Sequence, residues 1–196
     1  GKQSASGQGS CQNCDAGRFA AYNASSTCSA CASGRYAPLA GSSSCLYCPA
    51  GKAQAGGGQF YCDACKAGYF NPGIGSSAYG ACASGRVSNT SAVECENCPP
   101  GTAQAASGQA SCLNCTAGLF TNVSGASSCS ECAAGTFVAR AGATHCENCA
   151  AGRFQSRTGE ELCDDCEANT YSPTEGRLSC IDCAAPDAST KGSSSC

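Results

Sequence analysis

Residues 95–115 read CENCPPGTAQAASGQASCLNC. A Cys-x-x-Cys frame opens the stretch and another closes it, with thirteen small, mostly uncharged residues between them. The frame recurs on both sides. Copies start at Cys11, Cys28, Cys45, Cys62, Cys95, Cys112, Cys129, Cys146, Cys163 and Cys180, and most steps are 17 residues. The step from Cys62 to Cys95 is 33 residues and holds a damaged frame, Tyr79-Gly-Ala-Cys82, in which Tyr79 stands where a cysteine is due. Self-similarity at a fixed short period marks a stacked repeat array. The chain reads as one continuous array of about eleven repeats over residues 1–196. Cys196 sits one residue short of the next frame and reads as its first half, so the array is expected to belong to a longer chain.

The spacers repeat as well. Most open with a small residue and Gly: Gly17, Gly34, Gly51, Gly68, Gly85, Gly101, Gly118, Gly135 and Gly152 share this place. A Gly at a fixed distance after a Cys predicts a turn that needs positive φ or close backbone approach. Two residues later an aromatic usually follows: Phe19, Tyr36, Phe70, Phe120, Phe137, Phe154 and Tyr171. These seven are expected to touch along the array as a thin apolar spine. A second Gly recurs mid-spacer, from Gly41 to Gly176. Each spacer then reads as turn, short extended piece, turn and next frame, with no room for helices. A longer period overlies the short one. GKAQAGGGQFYC from Gly51 and GTAQAASGQASC from Gly101 are near copies, and GRFQSRTGEELC from Gly152 is a weaker one. Super-repeats therefore fall near 1–50, 51–100, 101–151 and 152–196. Stacking with a three-repeat turn, a neighbour met at every third repeat, or plain duplication all account for them.

Composition says what holds such a chain together. Leu, Ile, Val and Phe total 18 of 196 residues, about nine per cent, far below the roughly 20 % under which chains stay disordered. Cys is 22 of 196, about eleven per cent, which is the range of disulfide scaffolds. Covalent links must replace the missing apolar burial. No apolar run approaches the roughly 18 residues of a membrane span. The net charge of −3 argues against nucleic acid. Its distribution is uneven: residues 1–93 hold six Lys or Arg and two Asp or Glu, whereas residues 94–196 hold five and twelve. Drift within an array explains this; so does a chain with a positive and a negative end suited to head-to-tail contact.

Three chemistries compete for the frames. Paired Cys-x-x-Cys frames suit zinc, but the spacer of 13 is short for a ribbon and only His145 offers a nitrogen ligand. A redox frame needs a Cys at a helix N-terminus beside a parallel sheet, which a helix-poor chain lacks. Structural disulfides fit best. Sequons at Asn23-Ala-Ser, Asn89-Thr-Ser and Asn122-Val-Ser fall mid-spacer, where exposed tips are expected, and Asn114-Cys-Thr is a fourth, poorer one. Cysteine density and sequon placement agree on an oxidising, secretory and extracellular setting.

The unit Cys-Pro-Ala-Gly-x-(Tyr/Phe)…Gly…Cys-x-x-Cys resembles the ephrin-receptor-like cysteine-rich repeats of extracellular proteins. It also looks like the single-disulfide module of tumour necrosis factor receptors. Cys48-Pro-Ala-Gly51 and Cys98-Pro-Pro-Gly101 carry the resemblance most fully, and Cys31-Ala-Ser-Gly-Arg-Tyr36 carries it with Pro replaced. The resemblance implies a pairing in which the second Cys of one frame joins the first Cys of the next. That gives Cys14–Cys28, Cys31–Cys45, Cys48–Cys62, Cys82–Cys95, Cys98–Cys112, Cys115–Cys129, Cys132–Cys146, Cys149–Cys163, Cys166–Cys180 and Cys183–Cys196. Cys11 would pair outside the segment or stay free. Cys65 would lose its partner to Tyr79, unless it bonds Cys82 and orphans Cys95. A missing bridge there is expected to loosen residues 66–94. The implied fold is a small disulfide-rich repeat protein, an elongated solenoid-like rod of short β-hairpins and loops with almost no helix.

No constellation for general acid–base or nucleophilic work is visible, so an enzyme is not expected, and no cofactor. The acids around residues 160–167 lack a spaced calcium loop. A basic residue often follows the turn Gly, at Arg18, Arg35, Lys52, Arg86 and Arg153; a solvated stripe explains it, and so does a contact surface. Two roles remain. One is a structural extracellular glycoprotein, self-associating as the protomer of a fibril or surface appendage. The other is a ligand-binding or stalk region of a cell-surface receptor.

Overall fold

The computed structural model describes residues 1–3, 12–22 and 25–196. Among these residues it contains no helix. In the described residues twenty-two strands of two residues each pair as eleven two-stranded ribbons. The fold is a small disulfide-rich hairpin repeat. Residues 1–96 with 107–111 form one compact unit, and residues 97–106 with 112–196 form a second.

The second unit shows why the spacer folds as it does. Pro99-Pro100-Gly101-Thr102 closes a turn in which the Thr102 N–H donates to the Pro99 carbonyl at 3.1 Å. Gly101 has φ +84°, which a type II turn requires at its third position, and Pro100 pre-sets the second. Thr102–Ala103 leaves the turn and pairs with Leu113–Asn114. The Cys115 N–H then returns to the Gly101 carbonyl at 3.0 Å and closes the repeat on itself. The other repeats of both units follow the same plan, as in Leu119–Phe120 with Ser130–Glu131.

Within each unit three backbone hydrogen bonds fasten successive repeats. The turn-glycine N–H donates to a carbonyl 20 residues on: Gly101 to Thr121 (2.8 Å), Gly118 to Val138 (2.8 Å) and Gly135 to Gln155 (2.7 Å). In the first unit Gly17 reaches Ala37 (2.8 Å), Gly34 reaches Gln54 (2.7 Å) and Gly51 reaches Asn71 (2.8 Å). Three residues after the glycine a second N–H reaches forward, as Gln104 does to Ala126 (3.1 Å). The mid-spacer glycine reaches back, as Gly125 does to the Cys98 carbonyl at 2.7 Å. Two-residue strands are too short to stand alone; this ladder supplies what the ribbons lack. The glycine places are filled otherwise at a few steps. Asn169 (φ +69°) and Ser91 (φ +61°) keep the left-handed conformation. Pro186 has no N–H and donates nothing forward, although the Asp187 N–H still closes its turn onto Ala184 at 2.7 Å.

The core of each unit is thin. The second cysteine of each frame is buried, from Cys14 to Cys82 in one unit and from Cys98 to Cys166 in the other. Beside it runs the residue three places after the turn glycine: Ala20, Ala37, Gln54, Asn71 and Ser88, then Gln104, Thr121, Val138, Gln155 and Ser172, none more than 7 % exposed. This corrects the expected aromatic spine. Phe19, Tyr36, Phe70, Phe120, Phe137, Phe154 and Tyr171 are only half-buried. Ring pairs among the described residues join Phe60 to Tyr61 and Tyr69 to Tyr79, not members of that series. The reason is the ladder. The next residue along has its N–H and C=O bonded to neighbouring repeats, so its side chain is enclosed, while the aromatic stays partly exposed even where it packs on the core, as Phe120 does against Cys132, Val138 and Ala143.

Polar residues in this column are satisfied from within, as buried polar groups must be. Asn71 Nδ2 donates to the Lys52 carbonyl (2.7 Å), and Ser88 Oγ donates to the Tyr69 carbonyl (3.0 Å). Gln54 Nε2 donates to the Tyr61 carbonyl (3.0 Å) while Oε1 accepts from the Gly56 N–H (3.0 Å). Gln155 does the same with Leu162 and Arg157 (2.9 and 3.1 Å), and Gln104 Oε1 accepts from Ala106 (3.1 Å). The AQA motif at the 50-residue period thus marks loops clamped by a buried glutamine.

Gly118 and Gly142 separate the two demands made on glycine here. Both have positive φ, +81° and +75°. A Cβ on Gly118 would overlap the Gly159 carbonyl oxygen two repeats on, whereas one on Gly142 would first meet the Asn114 side chain at 3.6 Å. Gly142→Ala should cost about 1–2 kcal/mol, from backbone conformation alone. Gly118→Ala adds a backbone clash and should cost about 3 kcal/mol or more. Denaturant unfolding with the bridges intact checks the order; equal costs would show that the two-repeat contact does not constrain the fold.

Candidate functional site

The sites expected from sequence are the cystines, the sequons and the row of cations. The structure closes ten bridges among the described residues: Cys14–Cys28, Cys31–Cys45, Cys48–Cys62, Cys82–Cys95, Cys98–Cys112, Cys115–Cys129, Cys132–Cys146, Cys149–Cys163, Cys166–Cys180 and Cys183–Cys196. Their Cα–Cα distances are 5.6–5.8 Å, in the ordinary range. Where both cysteines of a frame are bridged, the first closes the loop behind it and the second closes the loop ahead. Each loop of about 15 residues contributes on the order of 3 kcal/mol in the chain-entropy model. Cys11 and Asn23 lie outside the described residues.

Cys65 is the free cysteine among the described residues, and it is buried. Cys82 is bonded to Cys95, so the alternative Cys65–Cys82 bridge is not formed. Burial pushes the Cys65 thiol up from its ordinary value, and a backbone hydrogen bond partly offsets this. Tyr79, in the place of the lost cysteine, packs edge-on against Tyr69 with centroids 5.6 Å apart. The ladder runs through this repeat regardless. Cys65 donates to Gly51 (2.9 Å), its carbonyl accepts from Ser91 (2.8 Å), and Gly68 reaches Ser88 (2.8 Å). An aromatic contact and backbone bonds stand in for one covalent link.

Asn89 and Asn122 are exposed in the loops that follow their ribbons, where an attached glycan would point to solvent. Asn114 is exposed on a strand, but its side chain rests against Gly142 and its neighbour Cys115 is bridged. The cations lie along their own hairpins. Arg18 Nη1 donates to the Cys28 carbonyl (3.3 Å), and Arg86 donates to that of Cys95. Arg35 lies 4.0 Å over the Tyr47 ring and Arg153 pairs with Asp165 at 2.8 Å. His145 is exposed beside Thr144. The acids around 160–167 form separate ion pairs, Arg157–Glu160 (3.1 Å) and Lys191–Glu167 (3.8 Å), and do not converge on one point.

The surface carries open grooves. One of 370 Å³ runs beside Tyr79 between Ala53 and Lys66, and another of 390 Å³ lies between Phe19 and Cys45. They are equivalent places two repeats apart, so they are by-products of the stack. What sequence reading missed is the enclosed column after the aromatic. Its one regular trace was the glutamine at every third repeat.

A thiol buried in this way should resist iodoacetamide at pH 8, reacting more than about tenfold slower than a free cysteine until denaturant is added. Tyr79→Cys should consume that thiol in an added bridge and stabilise the chain by up to about 3 kcal/mol. Labelling of Cys65 at the free-cysteine rate would contradict its enclosure.

The family model for the tyrosine-protein kinase ephrin type A/B receptor-like repeat matches residues 17–56, 85–132, 124–159 and 152–196. No individual curated protein matches the chain. The matches cover most of the chain and coincide with the bridged, glycine-turned unit seen in the structure. Such repeats form a non-catalytic extracellular module, in accord with the density of disulfides. The chain belongs to the ephrin-receptor-like family of cysteine-rich repeats.

Proposed function

We propose that the chain is a structural extracellular glycoprotein, the protomer of a fibril or surface appendage. The observation that carries this reading is the sameness of successive steps. The same three backbone bonds recur along each unit, with a bridge in each described repeat but that of Cys65, and the enclosed column tolerates Ala, Ser, Thr, Val, Asn and Gln alike. A chain built this way gains length by adding repeats, each of which contacts its neighbours in sequence. The sequons at Asn89 and Asn122 sit on exposed loops, as a glycosylated surface requires. No helix among the described residues is long and apolar enough to cross a membrane.

One observation favours a second reading, the ligand-binding or stalk region of a receptor. Tyr47 with Arg35 over its ring, and the edge-on pair Phe60 and Tyr61, leave three aromatics about half exposed within one unit. Tyr and Arg anchors are enriched where binding energy concentrates.

Electron microscopy of native, unreduced material separates the two. Fibrils with an axial period matching three short repeats are expected. Particles that stay single, or that stand singly on membranes, would overturn the fibril reading in favour of the receptor.

A further inference from the structure

We infer that copies of this chain associate through opposite charges borne on their hairpins: cations of residues 1–96 in one copy against carboxylates of residues 112–196 in another. The inference rests on the self-association proposed above and names the contact that makes it.

In the first unit the residue after the turn glycine is Arg18, Arg35, Lys52 or Arg86, with Tyr69 the one exception. Opposite the first three on their ribbons stand Ala30, Tyr47 and Ala64, none of them acidic. Arg18, Lys52 and Arg86 are exposed, as is Lys66. In the second unit the sign and the strand both change. The place after the turn glycine holds Thr102, Leu119, Thr136 and Thr170, with Arg153 the single cation. The acids on its frame strands are Glu131, Glu147, Asp164 and Asp182, all exposed, against two, Asp63 and Glu96, on the frame strands of the first unit.

Internal pairing sharpens the contrast. The three ion pairs among the described residues join Arg153, Arg157 and Lys191 to Asp165, Glu160 and Glu167. All lie in the acidic unit, where they consume three of its five cations. Glu147, Asp164 and Asp182 keep no cation, and Glu131 accepts only the Thr158 hydroxyl (2.7 Å). The cations of the first unit form no ion pair. The acids alternate between the two places of the frame strand, Glu147 and Asp164 in the first and Glu131 and Asp182 in the second, so the carboxylates are spread over both faces of their ribbons. Single exposed pairs are weak. Several together, each screened over about 8 Å at physiological salt, give an association that steers partners and dissolves as salt rises. A second copy is the occupant argued for, because it brings the opposite sign.

The test uses the whole native chain with its bridges formed, in sedimentation velocity at about 0.02 M and 0.5 M salt. Association is expected at low salt and at least tenfold weaker at high salt. One variant carries Arg18→Glu, Arg35→Glu, Lys52→Glu and Arg86→Glu; another carries Glu131→Lys, Glu147→Lys, Asp164→Lys and Asp182→Lys. Neither should self-associate, and their mixture should. Glutamine at the same positions, weakening association without rescue on mixing, supports the same conclusion if a reversed variant fails to fold. Fibrils indifferent to salt and to both variants would overturn this contact and leave the fibril reading standing. A wild-type chain that stays single at every salt concentration would overturn both. Capture of a sulfated glycan without self-association would make the partner a polyanion and overturn the contact between copies.

Discussion

One peptide group per repeat carries the architecture, that of the turn glycine. Its φ is positive, its N–H donates to the following repeat, and its Cα lies against a carbonyl two repeats on. A side chain there would break the second and third conditions even if the first were met. Everything nearby follows. The turn aims two strand residues back along the spacer, and those residues pair with the next frame. The frame then presents one cysteine to each neighbouring loop. Buried apolar area contributes little, since the enclosed positions are cystine, alanine and short polar residues. The fold is held by covalent loop closure and by a ladder whose donors and acceptors come from different repeats.

Much of this was legible in the sequence, because glycine and cysteine have few other reasons to recur at a fixed step. The frame, the turn and the mid-spacer glycine could be read from Gly17 to Gly176. The enclosed column could not. Its residues run Ala, Gln, Asn, Ser, Thr and Val, and share no chemistry that a hydrophobic pattern would register. What they share is backbone, with both peptide groups committed to neighbouring repeats. The aromatic one position earlier was the more visible signal and the less enclosed residue. The glutamines at 54, 104 and 155 were visible as a motif, but their task of clamping their own loop needs three dimensions to see. The loss at Tyr79 was visible too. Its remedy, the edge-on contact with Tyr69, was not, because nine residues lie between the two in sequence.

Family membership gives an extracellular, non-catalytic module, and such modules are put to many uses. What this chain adds is its distribution of charge. Cations follow the turn in one unit, and carboxylates occupy the frame in the other. The few internal ion pairs are spent where acids already dominate. Charge placed on the hairpins does not contribute to the ladder, so it is free to be chosen for partners.

The central claim is that bridges and ladder share one register, each frame fastening only the loops on either side of it. Partial reduction of the native chain with alkylation and peptide mass mapping tests this directly. The account predicts bridges between adjacent frames throughout, such as Cys31–Cys45 and Cys115–Cys129, with Cys82 joined to Cys95. Bridges that skip a frame, such as Cys31 to Cys62, or Cys65 joined to Cys82, would contradict it, because the backbone bonds described here could not then form in the same register.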